Sequence, residues 1–144
     1  MAISSGGGHW VQLLRLRPAF AEAQVTYVTV DLAYAADVPG ERFRTIVDAT
    51  RWDKLKLARM AVQIAWLLVR MRPDVIVSTG AAPGYFALRL GKLLGARTVW
   101  LDSIANVERL SMTGRLVGRF ADLWLTQWPH LARPDGPRFL GGTL

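Results

Sequence analysis

Short runs of β-branched and apolar residues alternate with helical patterns along the chain, and this alternation constrains the fold more than any other feature. Because crossover helices between strands produce parallel pairing, it predicts an α/β protein with an open, doubly wound, Rossmann-like parallel sheet. The predicted strands are residues 2–4, 25–30, 43–47, 74–78, 97–101 and 123–126, and the predicted helices are 10–16, 52–71, 84–94 and 113–121. We expect a loop at 31–40, and irregular structure after Pro129 until residues 139–140.

The chain of 144 residues is long enough for one domain, residues 1–144, and too short for a second of ordinary size. The absence of cysteine excludes disulfides, thiolate metal sites and cysteine nucleophiles. The two histidines, His9 and His130, argue against a structural metal site. We therefore expect neither a metal nor a cofactor.

The net charge of +7 suits three kinds of partner, namely phosphate groups, nucleic acid and an anionic lipid surface. The chain opens without the basic and apolar segments of a secretory signal, so we expect a cytoplasmic protein. Its most apolar helical stretch, residues 55–71, is interrupted by Lys56, Arg59 and Arg70, which argues against a membrane-spanning helix.

Three unusual loops follow predicted strands, at residues 4–9, 79–85 and 102–111. In a doubly wound sheet the carboxyl ends of parallel strands share one edge, where ligands bind. We therefore expect these three loops to lie together at that edge.

The first loop contains Ser5, Gly6, Gly7, Gly8 and His9 between a strand and a helix. Successive backbone N–H groups with little side-chain bulk form an anion-binding nest, for which phosphate is the natural occupant. Histidine at a helix start suits phosphate binding or acid/base work, because imidazole titrates near neutrality. A plain strand-to-helix turn, with a packing histidine, stays open as the alternative.

Two other phosphate motifs fit this loop poorly. A dinucleotide fingerprint needs a third glycine where Val11 stands, although Asp31 after the second strand could supply the ribose-binding acid, so a nicotinamide enzyme stays a minor alternative. A P-loop needs a Lys-Ser or Lys-Thr pair after the glycines, and the sequence has none there.

The second and third loops carry small and polar residues. Gly80 and its neighbours allow a ligand to approach the next helix closely, or make a tight turn. Asp102, Ser103 and Asn106 offer polar groups that suit a sugar or headgroup. Asp102 or Glu108 could act as a general base on a hydroxyl, but holding an arginine or capping a helix is the more ordinary role for each.

Together, four segments resemble the asparagine-linked-glycosylation-fourteen-like family, which includes bacterial PssD-type exopolysaccharide proteins. The combination of Gly-Gly-His, Leu-Ser-x-x-Gly and Gln-Trp-Pro in that order is more specific than any one motif. The resemblance runs from about residue 2 to residue 144. The segments are residues 4–10, the Thr79-Gly80 loop, 102–114 and 125–129.

The resemblance implies a fold like the N-terminal half of a MurG-type, two-domain GT-B glycosyltransferase, made as a separate polypeptide. It implies a second small protein that binds the sugar nucleotide, and a polyprenyl-diphosphate-linked sugar as acceptor. It also implies recruitment of that partner to the membrane, with bacterial members building capsule or exopolysaccharide units. Eukaryotic members carry an N-terminal membrane anchor that this sequence does not show, so we expect attachment through surface features or the partner.

The resemblance further assigns roles to matching positions. Ser5, Gly6, Gly7, Gly8, His9 and Gly80 would bind the acceptor diphosphate, and Asp102, Ser103 and Asn106 would line the acceptor-sugar side. His9 is the first candidate for the general base and Asp102 the second. Gln127, Trp128 and Pro129 are interpreted as a structural close to the last strand.

The predicted helix 52–71 combines apolar residues with four cations, Lys54, Lys56, Arg59 and Arg70, and Arg72 follows directly after it. It suits a peripheral site on the inner face of the cell membrane, although a crossover helix covering the sheet would look the same.

Two rival functions remain. A nucleic-acid-binding domain would cluster its arginines, which here are spread along the chain, so we expect no nucleic acid partner. A scaffold that only recruits the donor-binding subunit is the stronger rival.

Overall fold

The computed structural model describes residues 1–143 and contains a parallel sheet of seven strands in the order β3-β2-β1-β4-β5-β6-β7. The strands are β1 (Ala2–Ile3), β2 (Thr26–Thr29), β3 (Arg42–Thr45), β4 (Val75–Ser78), β5 (Arg97–Leu101), β6 (Leu123–Thr126) and β7 (Arg138–Phe139). The α-helices are α1 (Gly8–Arg15), α2 (Lys54–Met71), α3 (Ala81–Leu93) and α4 (Met112–Val117). The prediction of an open, doubly wound parallel sheet is confirmed.

The short first strand lies at the centre of the sheet. Ile3 pairs with Val28 of β2 on one side and with Ser78 of β4 on the other. The chain builds outward from β1 to β3, and α2 then carries it back to β4 on the opposite side. The strand order therefore reverses between β1 and β4, and the loops after these two strands flank the crevice where such folds bind ligands.

Alternating side chains of the strands divide the core between two faces of the sheet. Helices α2 and α3 cover one face, where Ile3 and Val28 pack with Met60, Ile64 and Trp100. The side chains that alternate with these along the strands point to the other face of the sheet, which α1 covers. That second cluster contains Ala2, Trp10, Leu13, Val25, Tyr27 and Val38.

Helix α2 shows how local sequence defines an element. Asp53 caps its start by accepting a hydrogen bond from the Lys56 N–H at 2.9 Å. The helix ends at Arg72, which adopts the left-handed conformation (φ 43°, ψ 60°) while its N–H bonds the Leu68 carbonyl. Pro73, which follows, cannot continue the helix.

Several predicted boundaries are wrong. The loop at 31–40 contains a 3₁₀ helix, Leu32–Asp37, because the Asp31 carboxylate caps its first turn. Helix α3 begins at Ala81 instead of after Pro83. Pro83 fits in the first turn because the N–H groups there have no partner within the helix, so the missing proline N–H breaks no hydrogen bond. The proline-rich tail contains a 3₁₀ helix, Pro129–Leu131, and a seventh strand that pairs with β6.

Within residues 1–143, none of the helices has both the length and the apolar character that crossing a membrane demands. In the same range, no three His, Asp or Glu side chains come together as metal ligands.

Candidate functional site

The glycine loop joins the central strand to α1 at the switch point of the sheet. Gly7 occupies the cap position with φ 64° and ψ −136°, a backbone conformation that favours glycine, and no side chain caps the helix. The first N–H groups of α1 therefore point out of the helix towards the crevice without an intrahelical partner. This is the geometry of an anion-binding helix start.

Tyr34, in the 3₁₀ helix after β2, covers this loop. Its hydroxyl accepts a hydrogen bond from the Gly7 N–H at 2.8 Å, and a side chain on Gly6 would meet that hydroxyl at 3.0 Å. Sequence reasoning missed Tyr34 because it lies 27 residues from Gly7 in a segment predicted as a loop. The sequence did contain one signal for this short helix, because Asp31 is a residue type that caps helices and it lies just before the segment that contains Tyr34.

The second loop presents another uncapped helix start. Gly80 caps α3 with φ 144° and ψ −179°, a conformation essentially restricted to glycine, and no side chain caps this helix either. Ala81 follows with φ 65°, in the left-handed region that alanine rarely adopts. Strained backbone is thus concentrated where α3 begins.

His9 holds the two loops together. Its Nδ1 lies 3.0 Å from the carbonyl oxygen of Thr79, and the Thr79 hydroxyl donates to the carbonyl of His9 at 2.7 Å. A side chain on Gly80 would overlap the imidazole ring. The loops at 4–9 and 79–85 therefore lie at one edge of the sheet, as predicted.

The contact with Thr79 also selects the form of the His9 ring. A carbonyl oxygen only accepts hydrogen bonds, so Nδ1 carries a proton. In the neutral ring, Nε2 is then an unprotonated nitrogen that can accept a proton from a hydroxyl. In the charged ring both nitrogens are donors, and Nε2 can instead bind a phosphate oxygen. Only one of these roles is available at a time.

Asp102 organises the third loop from within. Only 1% of the residue is exposed, and its carboxylate accepts hydrogen bonds from the Ser111 N–H at 2.8 Å and the Ser111 hydroxyl at 2.6 Å. Trp100 Nε1 donates to the same carboxylate at 3.3 Å. Ser111 in turn caps α4. This geometry favours loop positioning and leaves Asp102 the weaker candidate for the general base.

A buried pair of glutamines ties the third loop to α1. Gln12 Nε2 donates to the Ser103 hydroxyl at 3.1 Å, and Gln12 Oε1 accepts from Gln127 Nε2 at 2.7 Å. Gln127 also donates to the Asp102 carbonyl at 2.9 Å. All three predicted loops therefore meet at the carboxyl edge, and Gln127 has the structural role expected of it.

The remaining polar candidates differ in their accessibility. Asn106 is half-buried and its N–H donates to the Ser103 carbonyl at 3.0 Å, whereas Glu108 is exposed. Asp31, the acid that a dinucleotide site would need, accepts a hydrogen bond from the Ala33 N–H at 2.9 Å and caps a 3₁₀ helix. The Asp31 carboxylate is therefore already engaged in capping this helix.

Aromatic side chains pack α1 against the sheet. The Trp10 ring lies 6.0 Å from the Tyr27 ring at an interplanar angle of 76°, and Trp10 Nε1 donates to Asp37. Burial raises the pKa of the Tyr27 hydroxyl, an effect that Arg17 opposes, so this phenol stays neutral at physiological pH. A rigid α1 keeps its first turn, with His9, in place.

Comparison with known families matches this chain to one of them. The family model described as "Oligosaccharide biosynthesis protein Alg14 like" matches residues 38–141. The "UDP-N-acetylglucosamine transferase subunit ALG14" of Eremothecium gossypii is 30% identical over 165 residues, covering 92% of this chain and 74% of that protein. The Mus musculus protein of the same name is 24% identical over 168 residues, covering 91% of this chain and 76% of that protein.

Solved structures show the same fold at low identity. The crystal structure of MurG from Acinetobacter baumannii superimposes with a TM-score of 0.79 at 12% identity, covering 98% of this chain and 44% of MurG. A UDP-GlcNAc 2-epimerase from Methanocaldococcus jannaschii gives a TM-score of 0.64 at 13% identity, with 87% of this chain and 38% of that chain covered. This chain thus spans less than half of each of these structures.

Proposed function

The chain belongs to the Alg14-like family of oligosaccharide biosynthesis proteins, and on that premise we propose that it is one subunit of a UDP-sugar glycosyltransferase. Support comes from the relatives in Eremothecium gossypii and Mus musculus, whose names describe a transferase subunit. Support also comes from the two uncapped helix starts that meet at the switch point.

The names of the relatives, which describe a transferase subunit, support an enzyme made of more than one polypeptide. Nearly all of this chain superimposes on less than half of MurG. We propose that residues 1–144 form a single domain equivalent to the N-terminal half of such an enzyme. A separate small subunit would then bind the sugar nucleotide, and the pair would enclose the active site.

The carboxyl edge of the sheet is proposed as the acceptor site. The uncapped starts of α1 and α3 flank the crevice, and oriented N–H groups there stabilise a diphosphate without a metal. Ser5, Gly6, Gly7, Gly8 and Gly80 would bind the diphosphate of a polyprenyl-linked sugar, and His9 beside them is assigned to proton transfer instead of to the diphosphate. Asp102, Ser103 and Asn106 would form the side of the cleft nearest the acceptor sugar, with Asp102 acting mainly through Ser111.

The observation that carries the chemistry is the hydrogen bond between His9 Nδ1 and Thr79. It leaves Nε2 of the neutral ring as a base that takes the proton from the acceptor hydroxyl. The hydroxyl oxygen then bonds to the anomeric carbon of the donor sugar. The bond from that carbon to the phosphate breaks, and the nucleoside diphosphate leaves with the electron pair.

We also place the protein at the inner face of the cell membrane as a peripheral subunit that recruits its partner. The lipid part of the proposed acceptor requires the site to lie close to the bilayer. No cofactor is needed for a transfer of this kind, since oriented N–H groups and arginines can stabilise the phosphate charge.

Reconstitution tests this proposal. Transfer from several UDP-sugars to a polyprenyl-diphosphate-sugar is measured with this chain alone, the donor-binding subunit alone and both together. We expect transfer only from the mixture. In the mixture, His9→Asn should lower kcat by about 10² to 10⁴, because Asn can donate to Thr79 but cannot accept the proton.

His130→Asn is the matched control, because His130 lies on an exposed surface where its ring contacts the Val107 carbonyl. A normal kcat with a raised KM for His9→Asn would assign His9 to diphosphate binding instead of proton transfer. Full transfer by the donor-binding subunit alone would reduce this chain to a scaffold.

A further inference from the structure

Tyr34 brings to the glycine loop a hydroxyl group of which the fold uses only one side. The hydroxyl oxygen accepts a hydrogen bond from the Gly7 N–H at 2.8 Å. A phenol can also donate a hydrogen bond through its own proton. Among residues 1–143, no group accepts that proton from Tyr34. An unused donor therefore lies on the β2 side of the loop, whereas His9 contacts the loop after β4.

The short 3₁₀ helix after β2 holds this hydroxyl in a fixed position. The Asp31 carboxylate caps its first turn, and Asp37 at its other end accepts a hydrogen bond from Trp10 Nε1 at 2.8 Å. The Tyr34 ring packs on the buried Trp10 ring, with 5.3 Å between the ring centres and 36° between the ring planes. Because the helix is anchored at both ends, a ligand that binds the hydroxyl orders little that is not ordered already.

Gly6 allows the phenol to come this close to the loop. A Cβ on residue 6 would lie 3.0 Å from the Tyr34 oxygen and 3.1 Å from a ring carbon, which is tighter than ordinary van der Waals contact. A larger residue at position 6 would therefore displace the hydroxyl from the Gly7 N–H. The loop uses these two glycines differently, since Gly7 supplies the left-handed backbone and Gly6 supplies the space.

The unpaired N–H groups of α1 follow directly after the residue that Tyr34 contacts. Gly7 caps the helix and Gly8 is its first residue, so an anion bound by the first turn lies beside the Tyr34 oxygen. Donation from the Gly7 N–H polarises the phenol and strengthens its own proton as a donor. Hydrogen bonds to a charged acceptor are stronger than those between neutral groups. A phosphate oxygen is therefore a suitable acceptor for this proton.

We propose that Tyr34 is a further binding residue of the acceptor site, whose hydroxyl donates to a phosphate oxygen while it accepts from the Gly7 N–H. The inference rests on the proposed function, because it requires an acceptor diphosphate at the glycine loop. It adds a neutral donor on the β2 side of an anion that the two helix starts bind from the other side.

Tyr34→Phe tests this role, because it keeps the ring on Trp10 and removes only the hydroxyl. Binding of inorganic diphosphate to this chain alone is measured by calorimetry for the wild type and the variant. We expect the variant to raise Kd at least about tenfold, the usual loss for one hydrogen bond to a charged group. If the hydroxyl instead occupied the loop in competition with the anion, the variant would bind diphosphate more tightly. If Tyr34 only packed on Trp10, the two Kd values would be equal.

Tyr27→Phe is the matched control. The Tyr27 ring lies 6.0 Å from the same Trp10 ring, but Tyr27 belongs to the core of the sheet and is 1% exposed. Loss of its hydroxyl should leave the Kd for diphosphate unchanged. Thermal unfolding shows whether both variants are folded.

Glycosyl transfer by the mixture with the donor-binding subunit gives a second measurement. Tyr34→Phe should raise KM for the acceptor about tenfold and leave kcat unchanged, because it removes a contact to the diphosphate and leaves His9 and Thr79 in place. A Kd for diphosphate that is equal to or lower than that of the wild type would overturn the inference and leave the proposed function standing. Absence of diphosphate binding by the wild type would overturn the inference together with the assignment of the glycine loop to the acceptor, whereas transfer by the mixture tests the subunit role separately.

Discussion

Gly80 is the single residue on which the geometry of the candidate site depends most directly. It adopts φ 144°, and a Cβ placed there would overlap the His9 ring. We expect Gly80→Ala to lower the free energy of unfolding by about 1 to 3 kcal/mol through backbone strain. It should also displace the imidazole, abolish its hydrogen bond to Thr79 and reduce glycosyl transfer. Urea unfolding, turnover and the NMR signal of the His9 ring measure these effects.

Gly95→Ala separates strain from displacement of the histidine. Gly95 has φ 87° after α3, and a Cβ added to it meets no atom within 4 Å. Its replacement should cost about 1 to 2 kcal/mol of stability and leave His9 and turnover unchanged. Equal losses of transfer in the two variants would mean that reduced stability, and not the position of His9, causes the effect.

At the scale of elements, the end of α2 offers a change that should stabilise the protein. Arg72 adopts a left-handed backbone conformation. This conformation has a higher free energy for residues with a Cβ atom than for glycine. We expect Arg72→Gly to raise the free energy of unfolding by about 0.5 to 1 kcal/mol, the gain being reduced by the extra freedom of glycine in the unfolded chain. The midpoint of urea unfolding, at an unchanged m value, measures it.

The same substitution inside the helix should have the opposite sign. Arg59 is exposed in the middle of α2, where glycine is a poor helix former. Arg59→Gly should therefore destabilise the protein by about 1 kcal/mol. If both variants were destabilised, the left-handed end of α2 would not be under strain.

At the scale of the whole molecule, Asp122 connects three elements. Its carboxylate accepts hydrogen bonds from Lys92 at the end of α3 and from the Thr98 N–H and hydroxyl in β5. Asp122 itself directly precedes β6. The Lys92 ammonium, followed by the Thr98 N–H, lowers the pKa of Asp122 below its ordinary value of 3.8. The stabilisation is therefore complete above pH 3.8 and is lost as the pH falls through the lower pKa of the folded state.

Asp122→Asn should accordingly destabilise the protein at neutral pH and have a smaller effect in acid. About 40% of the side chain is exposed, so solvent screening limits the loss at pH 7 to about 1 kcal/mol. Urea unfolding of both proteins between pH 7 and pH 3 measures the difference, with Asp135→Asn in an exposed loop as the control. A difference that does not shrink in acid would show that Asp122 contributes through its shape and not its charge.

The pattern of alternating runs was sufficient to predict the parallel sheet, its first six strands and the edge at which the three loops meet. These features depend on the spacing of apolar residues and on the chirality of crossovers, which are properties of local sequence. Local sequence also placed β5 and β6 correctly at both ends. It was less informative at the start of α3 and in the proline-rich tail, where strand pairing and unpaired N–H groups decide the boundary.

By itself, the sequence determined which residues are available to the site: the glycine loop with His9, the turn at Gly80 and the polar segment from Asp102. Only the tertiary structure decided how they are used. It joined His9 to Thr79 across 70 residues, brought Tyr34 over the glycine loop and buried Asp102 beneath Ser111. It also turned one apolar face of α2 to the core and left the other exposed. Such contacts join residues far apart in the chain, so no local pattern of residues specifies them.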